Sequence, residues 1–225
     1  MERKVTLTED GSSTVFNSSL KQHYHSIHGA VQESQHVFMR MGWEFSAWPE
    51  LPGEISILEI GFGTGLNAFL VLLKCTEELN RHVSYTSLEA FPLEEEEFTA
   101  LNYSTALNFP DRHDKFLALH RAEWEVPTAI ANGFTLLKKK IKLEDFIPEQ
   151  TSFDLIFFDA FSPEAQPELW TEEIFKKLYD GMKPGGILVT YCAKGQVRRN
   201  LIATGFSVER LEGPPGKREM LRGRK

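Results

Sequence analysis

Ile55-Ser56-Ile57-Leu58-Glu59-Ile60-Gly61-Phe62-Gly63-Thr64-Gly65-Leu66-Asn67 is the stretch whose reading decides the fold. Its first six residues are rich in isoleucine and predict a buried strand. Glycines follow at positions 61, 63 and 65, and Leu66–Lys74 (LNAFLVLLK) then predicts an apolar helix. Strand, glycine turn and helix together outline a nucleotide-type site. Glycine has no Cβ, so the chain turns sharply and a ligand approaches the backbone closely. The start of the helix adds free N–H groups and positive dipole character.

The spacing narrows the ligand. A dinucleotide loop reads G-x-G-x-x-G, with its third glycine inside the helix and a pyrophosphate on the helix end. Here an acid precedes G-x-G-x-G, in Glu59-Ile60-Gly61-Phe62-Gly63-Thr64-Gly65. A carboxylate at Glu59 suits a cationic ligand and would repel a pyrophosphate, which disfavours a nicotinamide oxidoreductase. The order resembles the first motif of class I methyltransferases, whose loop embraces S-adenosylmethionine (SAM), a ligand with a zwitterionic amino-acid part and a sulfonium. The plainer alternative is a strand–helix turn with a glycine cap.

A chain of 225 residues suits one α/β domain with a small appendage. Apolar residues make up 41% and phenylalanine alone contributes 17, enough for a sizeable core. The N-terminal MERKVTLTEDGSS has no apolar signal region, and the longest apolar run, Ala68–Leu73, is too short to cross a bilayer. The expectation is a cytoplasmic protein with no membrane partner. Cys75 and Cys192 are isolated in apolar segments without metal-ligand spacing, so both are expected to be buried and reduced. His23, His25, His28 and His36 do not share one helical face, so no metal is expected; pocket lining or surface accounts for them.

The net charge of −7 argues against general nucleic-acid affinity. From Lys194 onward, however, nine basic residues face three acidic ones, which leaves that segment near +6 and the remainder near −13. Such asymmetry fits either a local face for a phosphate backbone or a solvated tail.

Taken in order, Lys4–Thr8 predicts a short strand, Asp10–Thr14 a turn, and Tyr24–Met41 helical stretches. Trp43, Phe45, Trp48 and Pro49 form an aromatic cluster expected to close onto the sheet. His82–Leu88 predicts the second strand of the nucleotide site, ending at Glu89, where a carboxylate would accept hydrogen bonds from two ribose hydroxyls; a surface acid at a strand end is the alternative. Pro92 and Glu94–Glu97 predict a helix start. Phe134–Ile141 and Phe153–Phe158 predict two more strands, the second ending at Asp159, and Thr171 caps a helix. Gly181–Gly186 predicts a turn before a strand at Ile187–Cys192, Lys194–Ala203 a basic helix, and Phe206–Leu211 with Arg218–Arg222 a closing antiparallel pair. Alternating strands and helices imply a parallel sheet covered on both faces, with ligands at the carboxyl ends of its strands. Glu59 with the glycine loop, Glu89 and Asp159 all fall there.

With those residues in place, nearly the whole chain resembles the methyltransferase domain of MnmC-type enzymes, which complete 5-methylaminomethyl-2-thiouridine at the tRNA wobble position. The resemblance lies in Gly61–Asn67 (GFGTGLN), in Phe158–Pro163 (FDAFSP) with Pro167–Trp170 (PELW), in Asp10-Gly11-Ser12, Tyr24-His25-Ser26, Gly29-Ala30, Gln32-Glu33 and His36-Val37-Phe38, and in Lys217-Arg218-Glu219-Met220-Leu221. It implies a Rossmann-like class I SAM-dependent methyltransferase fold: a mostly parallel seven-stranded sheet with an antiparallel C-terminal strand in residues 55–225, and an N-terminal extension, residues 1–54, packed on it. It implies SAM as cofactor, held by Glu59, Gly61, Phe62, Gly63, Gly65, Asn67 and Glu89. Where the family places an acid near the adenine, Ile141-Lys142 stand in register and Asp145 is the substitute. Asp159 is assigned to bind and orient the substrate amine and to help take its proton; a structural strand-end aspartate is the alternative. Tyr24 and His25 are assigned to the same pocket, or to packing of the N-terminal segment. Lys194, Arg198, Arg199, Lys217, Arg218 and Arg222 are assigned to tRNA. The family's bifunctional members add an FAD-dependent oxidase domain, so this chain is expected to act as a monomer without FAD, on an aminomethyl group produced by a separate oxidase partner. A class I methyltransferase or an aminopropyltransferase-like enzyme acting on a small amine is the alternative enzyme; a binding protein with the same fold and no chemistry is the alternative of another class.

Overall fold

The computed structural model describes residues 2–46, 53–78 and 81–225. At the N-terminus β1 (Arg3–Leu7), β2 (Ser13–Asn17) and β3 (Gln22–His23) form a small antiparallel sheet. The predicted turn at Asp10–Thr14 ends sooner than expected, because Ser13 and Thr14 already pair with Leu7 and Thr6. The short helix α1 (Ala30–Ser34) continues as a wider π-helical segment, Gln35–Trp43. Of the expected aromatic cluster, Trp43 is buried and Phe45 is half exposed; Trp48 and Pro49 lie outside the described residues.

The main sheet is built from β4 (Ile55–Ile60), β5 (Val83–Leu88), β6 (Thr128–Ala131), β7 (Phe134–Lys139), β8 (Phe153–Phe158), β9 (Met182–Thr190), β10 (Ser207–Glu212) and β11 (Glu219–Arg224). Its order is β10-β11-β9-β8-β4-β5-β7-β6. The five strands from β9 to β7 run parallel, and β11, β10 and β6 are antiparallel to their neighbours. The sheet thus has eight strands rather than seven; the unanticipated one, β6, is only four residues long and lies at the edge. Of the turn predicted at Gly181–Gly186, Gly181 closes the preceding helix and Met182–Gly186 lie within β9, where a register irregularity absorbs Gly185 and Gly186.

Two apolar layers cover the sheet, and the pleat decides which residue enters each. Ile55 and Ile57 point into the layer that holds α2 (Leu66–Glu78), the π-helical segment and, after α3 (Glu95–Thr99) and α4 (Tyr103–Ala106), α5 (His113–Arg121). Leu58 and Ile60 point into the other, with α6 (Glu172–Gly181) and α7 (Gly195–Ala203). The acidic run at Glu94–Glu97 starts α3 through a capping box, and the Thr171 side chain caps α6. Strand order reverses at β4: β5 and β7 lie on one side of it, β8 and β9 on the other. Ile60 pairs level with both Leu88 and Phe158, so Gly61, Glu89 and Asp159 emerge together from three neighbouring strands at the switch point, where α/β sheets bind ligands.

Candidate methyl-donor and acceptor site

A cavity of about 710 Å³ opens over those strand ends, within the usual range for cofactor sites. Its floor is the glycine loop. Gly61, Gly63 and Gly65 all have positive φ. At Gly61 a Cβ would stand 2.8 Å from the Asp159 carbonyl oxygen, and at Gly65 one would stand 2.8 Å from His120 Nε2. Bare backbone is therefore required both by conformation and by close approach. The loop is locked on the Leu88 carbonyl by the N–H groups of Gly61 (3.0 Å) and Phe62 (3.1 Å).

Beneath the loop, His120 stacks on Phe98 and bonds the Thr64 carbonyl at 3.0 Å, with burial holding its pKa down at about 3. Lys138, also buried, donates to the His120 carbonyl and sits 4.5 Å from the Trp124 ring; burial lowers its pKa to about 8. Neither group was singled out in the sequence.

Glu89 lies on the cavity wall. It accepts the Gly63 N–H at 2.9 Å on Oε2 and the Phe91 N–H at 2.8 Å on Oε1. Each carboxylate oxygen retains a further lone pair for a hydroxyl, and burial raises the pKa of the group.

Asp159 sits across the cavity floor, where Asn67 Nδ2 donates to its Oδ2 at 2.9 Å. Asn67 belongs to the first turn of α2, so the residue that follows the glycine loop holds the one that follows β8. Burial, reinforced by the negative charge of Glu33, lifts Asp159 to about 7, while Asn67 and Lys217 pull it down. Asn67 Oδ1 is itself buried, with no hydrogen-bond partner among the described residues.

Glu59 is placed differently from expectation. The pleat that sends Ile55 and Ile57 into the α2 layer sends Glu59 there as well. It is fully buried, is absent from the cavity wall, and accepts a hydrogen bond from Ser87 Oγ at 2.6 Å. Desolvation, with a contribution from Asp159, pushes its pKa up to about 8. It underpins the site as a neutral acid rather than meeting a cation as a carboxylate. Asp145 also departs from expectation: the turn closed by its N–H on the Lys142 carbonyl leaves it exposed and off the wall, while Ile141–Glu144 line the cavity.

Phe62 is buried in the loop, its ring edge-on to His120. Tyr24 and His25 both line the cavity. Tyr24 meets Phe161 edge-on at 4.9 Å; His25 Nε2 bonds Thr64 Oγ1 at 2.6 Å, and burial lowers its pKa to about 4.

The basic residues divide. Lys217 reaches into the cavity, paired with Glu33 at 2.6 Å and 3.8 Å from the Tyr191 ring centroid. Arg222 is buried, bonded to Glu209 at 2.9 Å and to the Met41 carbonyl at 3.1 Å, so it ties β11 to the core rather than facing solvent. Lys194 pairs with Glu164, and Arg198 is half-buried. Arg199 and Arg218 are exposed. Among the described residues no cluster of His, Cys, Asp and Glu is arranged to hold a metal, and no helix is long and apolar enough to cross a membrane.

A family model described as S-adenosyl-L-methionine-dependent methyltransferase matches residues 108–225. The chain belongs to that family. The methyltransferase is 33% identical over 210 residues to the tRNA 5-methylaminomethyl-2-thiouridine biosynthesis bifunctional protein MnmC of Ectopseudomonas mendocina (strain ymp), a match covering 89% of this chain and 32% of that relative. It spans about a third of the length of the curated relatives it matches. Among solved structures it is similar to MNMC2 from Aquifex aeolicus, with TM-score 0.78 and 26% identity over 99% of this chain and 70% of that one. Spermidine synthase from Thermotoga maritima shares the fold, at TM-score 0.53 and 13% identity over 98% of this chain and 71% of that one.

The methyltransferase residues suit SAM on structural grounds. A loop without side chains lies beside a carboxylate with spare lone pairs for hydroxyls. Further along the cavity stand groups of both charge signs.

Proposed function

We propose that this methyltransferase converts 5-aminomethyl-2-thiouridine at the tRNA wobble position to 5-methylaminomethyl-2-thiouridine. The observation that carries the reading is the bond from Asn67 to Asp159, which fixes an amine-seeking carboxyl to the loop that would hold the donor. The relatives above, named for 5-methylaminomethyl-2-thiouridine biosynthesis in tRNA, supply the substrate class. When bound, SAM supplies a methyl group already activated by its sulfonium, so the protein has chiefly to bind, align and manage one proton. We assign the donor seat to Gly61, Phe62, Gly63 and Asn67, with Glu89 for the ribose hydroxyls; Gly65, off the cavity wall and packed against His120, shapes the turn instead. We assign Asp159 to orient the amine, which must be neutral to attack, and to accept its proton directly or through water. A carboxyl lifted to about 7 is matched to that task near neutral pH. Tyr24 and His25 would complete the acceptor side. Exposed Arg199 and Arg218, with Lys194 and Arg198 from α7 and its cap, are the residues proposed to meet phosphates. In this reading the chain works in the cytoplasm as a monomer.

One feature favours a small cationic amine as acceptor instead. The wall carries Glu33, Glu89, Glu144, Asp159 and Glu168 against Lys21, Lys142 and Lys217. Mass spectrometry of tRNA nucleosides after incubation with SAM separates the two. Methylated wobble nucleoside supports the tRNA reading; methylated polyamine with unchanged tRNA replaces it. Asp159→Ala is expected to abolish turnover while donor binding persists, and near-normal turnover would remove Asp159 from its role.

A further inference from the structure

Glu33 and Lys217 make a built pair on the cavity wall that the glycine-loop motif does not account for. The Glu33 side chain is only 6% exposed, and its Oε2 accepts the Ser26 N–H at 2.7 Å while its Oε1 accepts from Lys217 Nζ at 2.6 Å. Lys217 arrives from the β10–β11 turn, 184 residues away in sequence. That turn is anchored on the N-terminal segment, where His36 Nε2 bonds the Glu212 carbonyl at 2.8 Å and Gly216 packs directly against His28. The ammonium is thus held at a fixed place, against the Tyr191 ring.

We propose that Glu33 and Lys217 form the seat for the amino-acid head of SAM, Glu33 taking its ammonium and Lys217 its carboxylate. The inference rests on the donor half of the proposed function and not on the identity of the acceptor. An α-amino acid head is itself a neighbouring pair of opposite charges. A pre-paired Glu33 and Lys217 can exchange their mutual contact for two contacts to such a head without leaving either charge unpaired. A ligand with an ammonium alone would satisfy Glu33 but leave Lys217, whose side chain is 31% exposed, without its carboxylate contact, and a bond between charged groups is worth more than a neutral one. Nζ has three N–H donors, and one goes to Glu33. The seat therefore selects SAM over its decarboxylated form, the donor used in aminopropyl transfer.

The test is calorimetric titration of the full chain with SAM, decarboxylated SAM and 5′-methylthioadenosine, which lacks the head altogether. The wild-type protein should bind SAM at least about tenfold more tightly than decarboxylated SAM. Lys217→Met should erase that preference and leave methylthioadenosine affinity within about twofold, whereas Lys217→Arg, which keeps the charge, should retain the preference. Equal wild-type affinity for the two sulfonium ligands overturns the proposal even if the variants do not fold. So does a Lys217→Met protein that keeps the preference, or one that loses all three ligands in parallel, which would make Lys217 a structural strut. Because binding is the readout, failure to methylate tRNA leaves this result interpretable, and failure of the seat leaves the tRNA reading intact.

Discussion

Replacing Glu59 by Gln should make the protein more stable relative to wild type as pH rises, and the size follows from burial. Glu59 is fully enclosed under the glycine loop, with a neutral hydroxyl from Ser87 as its 2.6 Å partner. Its pKa is about 8 in the folded chain against an ordinary value of 4.5. Between those values the native state holds a proton that the unfolded chain has released. The contribution of Glu59 is thus fully present below about pH 4.5 and is lost as pH rises through about 8. Each pH unit well inside that window costs about 1.4 kcal/mol, so the loss from pH 5 to pH 8 is about 3 kcal/mol. Glutamine keeps the shape, keeps an acceptor for Ser87 and cannot ionise. Urea unfolding of both proteins across pH 5–8 gives the difference curve, in which His25, His120 and Asp159 largely cancel. The difference should move in favour of Glu59→Gln by about 3 kcal/mol across that range. A flat difference would mean that Glu59 is ionised in the native protein, and the account of a neutral acid beneath the loop would be refuted.

Three further outcomes follow from the same contacts. Gly61→Ala meets the Asp159 carbonyl at 2.8 Å and must adopt a φ of 89°; unfolding stability should fall by about 2–3 kcal/mol and SAM affinity at least tenfold, as read by calorimetry. The kcat/KM of the wild-type enzyme should climb on an acid limb near pH 7, set by the raised pKa of Asp159, and Asp159→Asn should lower the rate and remove that limb. Arg222→Met should lower stability by about 1–3 kcal/mol while leaving the salt dependence of tRNA binding unchanged, because its guanidinium is already bonded to Glu209 and Met41; Arg218→Ala should leave stability alone and reduce the salt slope by about one.

Local signals carried the sheet and half of the site. The strand–glycine–helix unit at Ile55–Asn67 needs only neighbouring residues to declare itself, and Glu89 and Asp159 could be placed because strand ends are visible as the end of an apolar run. What the chain order concealed was side-chain direction and long-range contact. The glycine motif alone suggests that Glu59 faces the ligand, but the pleat that buries Ile55 and Ile57 turns it the same way. Asp145 was placed by counting along a loop, and the turn at Lys142 displaced it. Lys217 and Arg222 both belonged to a basic run that suggested one exposed face, yet a buried carboxylate 184 residues away draws Lys217 into the cavity and β11 carries Arg222 into the core. Glu33 and Tyr191 drew no role in the sequence for the same reason: their meaning depends on the β10–β11 turn folding back over the N-terminal segment. The short strands β3 and β6 lack the length that makes a periodic signal, and β2 is obscured because Ser13 and Thr14 continue the turn chemistry of Asp10–Ser12.

The most direct test is calorimetric titration of the wild-type chain with SAM and with its demethylated product. A donor cradle formed by the bare loop, Glu89 and the first turn of α2 predicts saturable one-to-one uptake of both, lost together in Gly61→Ala. Absence of heat and of any rise in thermal stability with either ligand would contradict it.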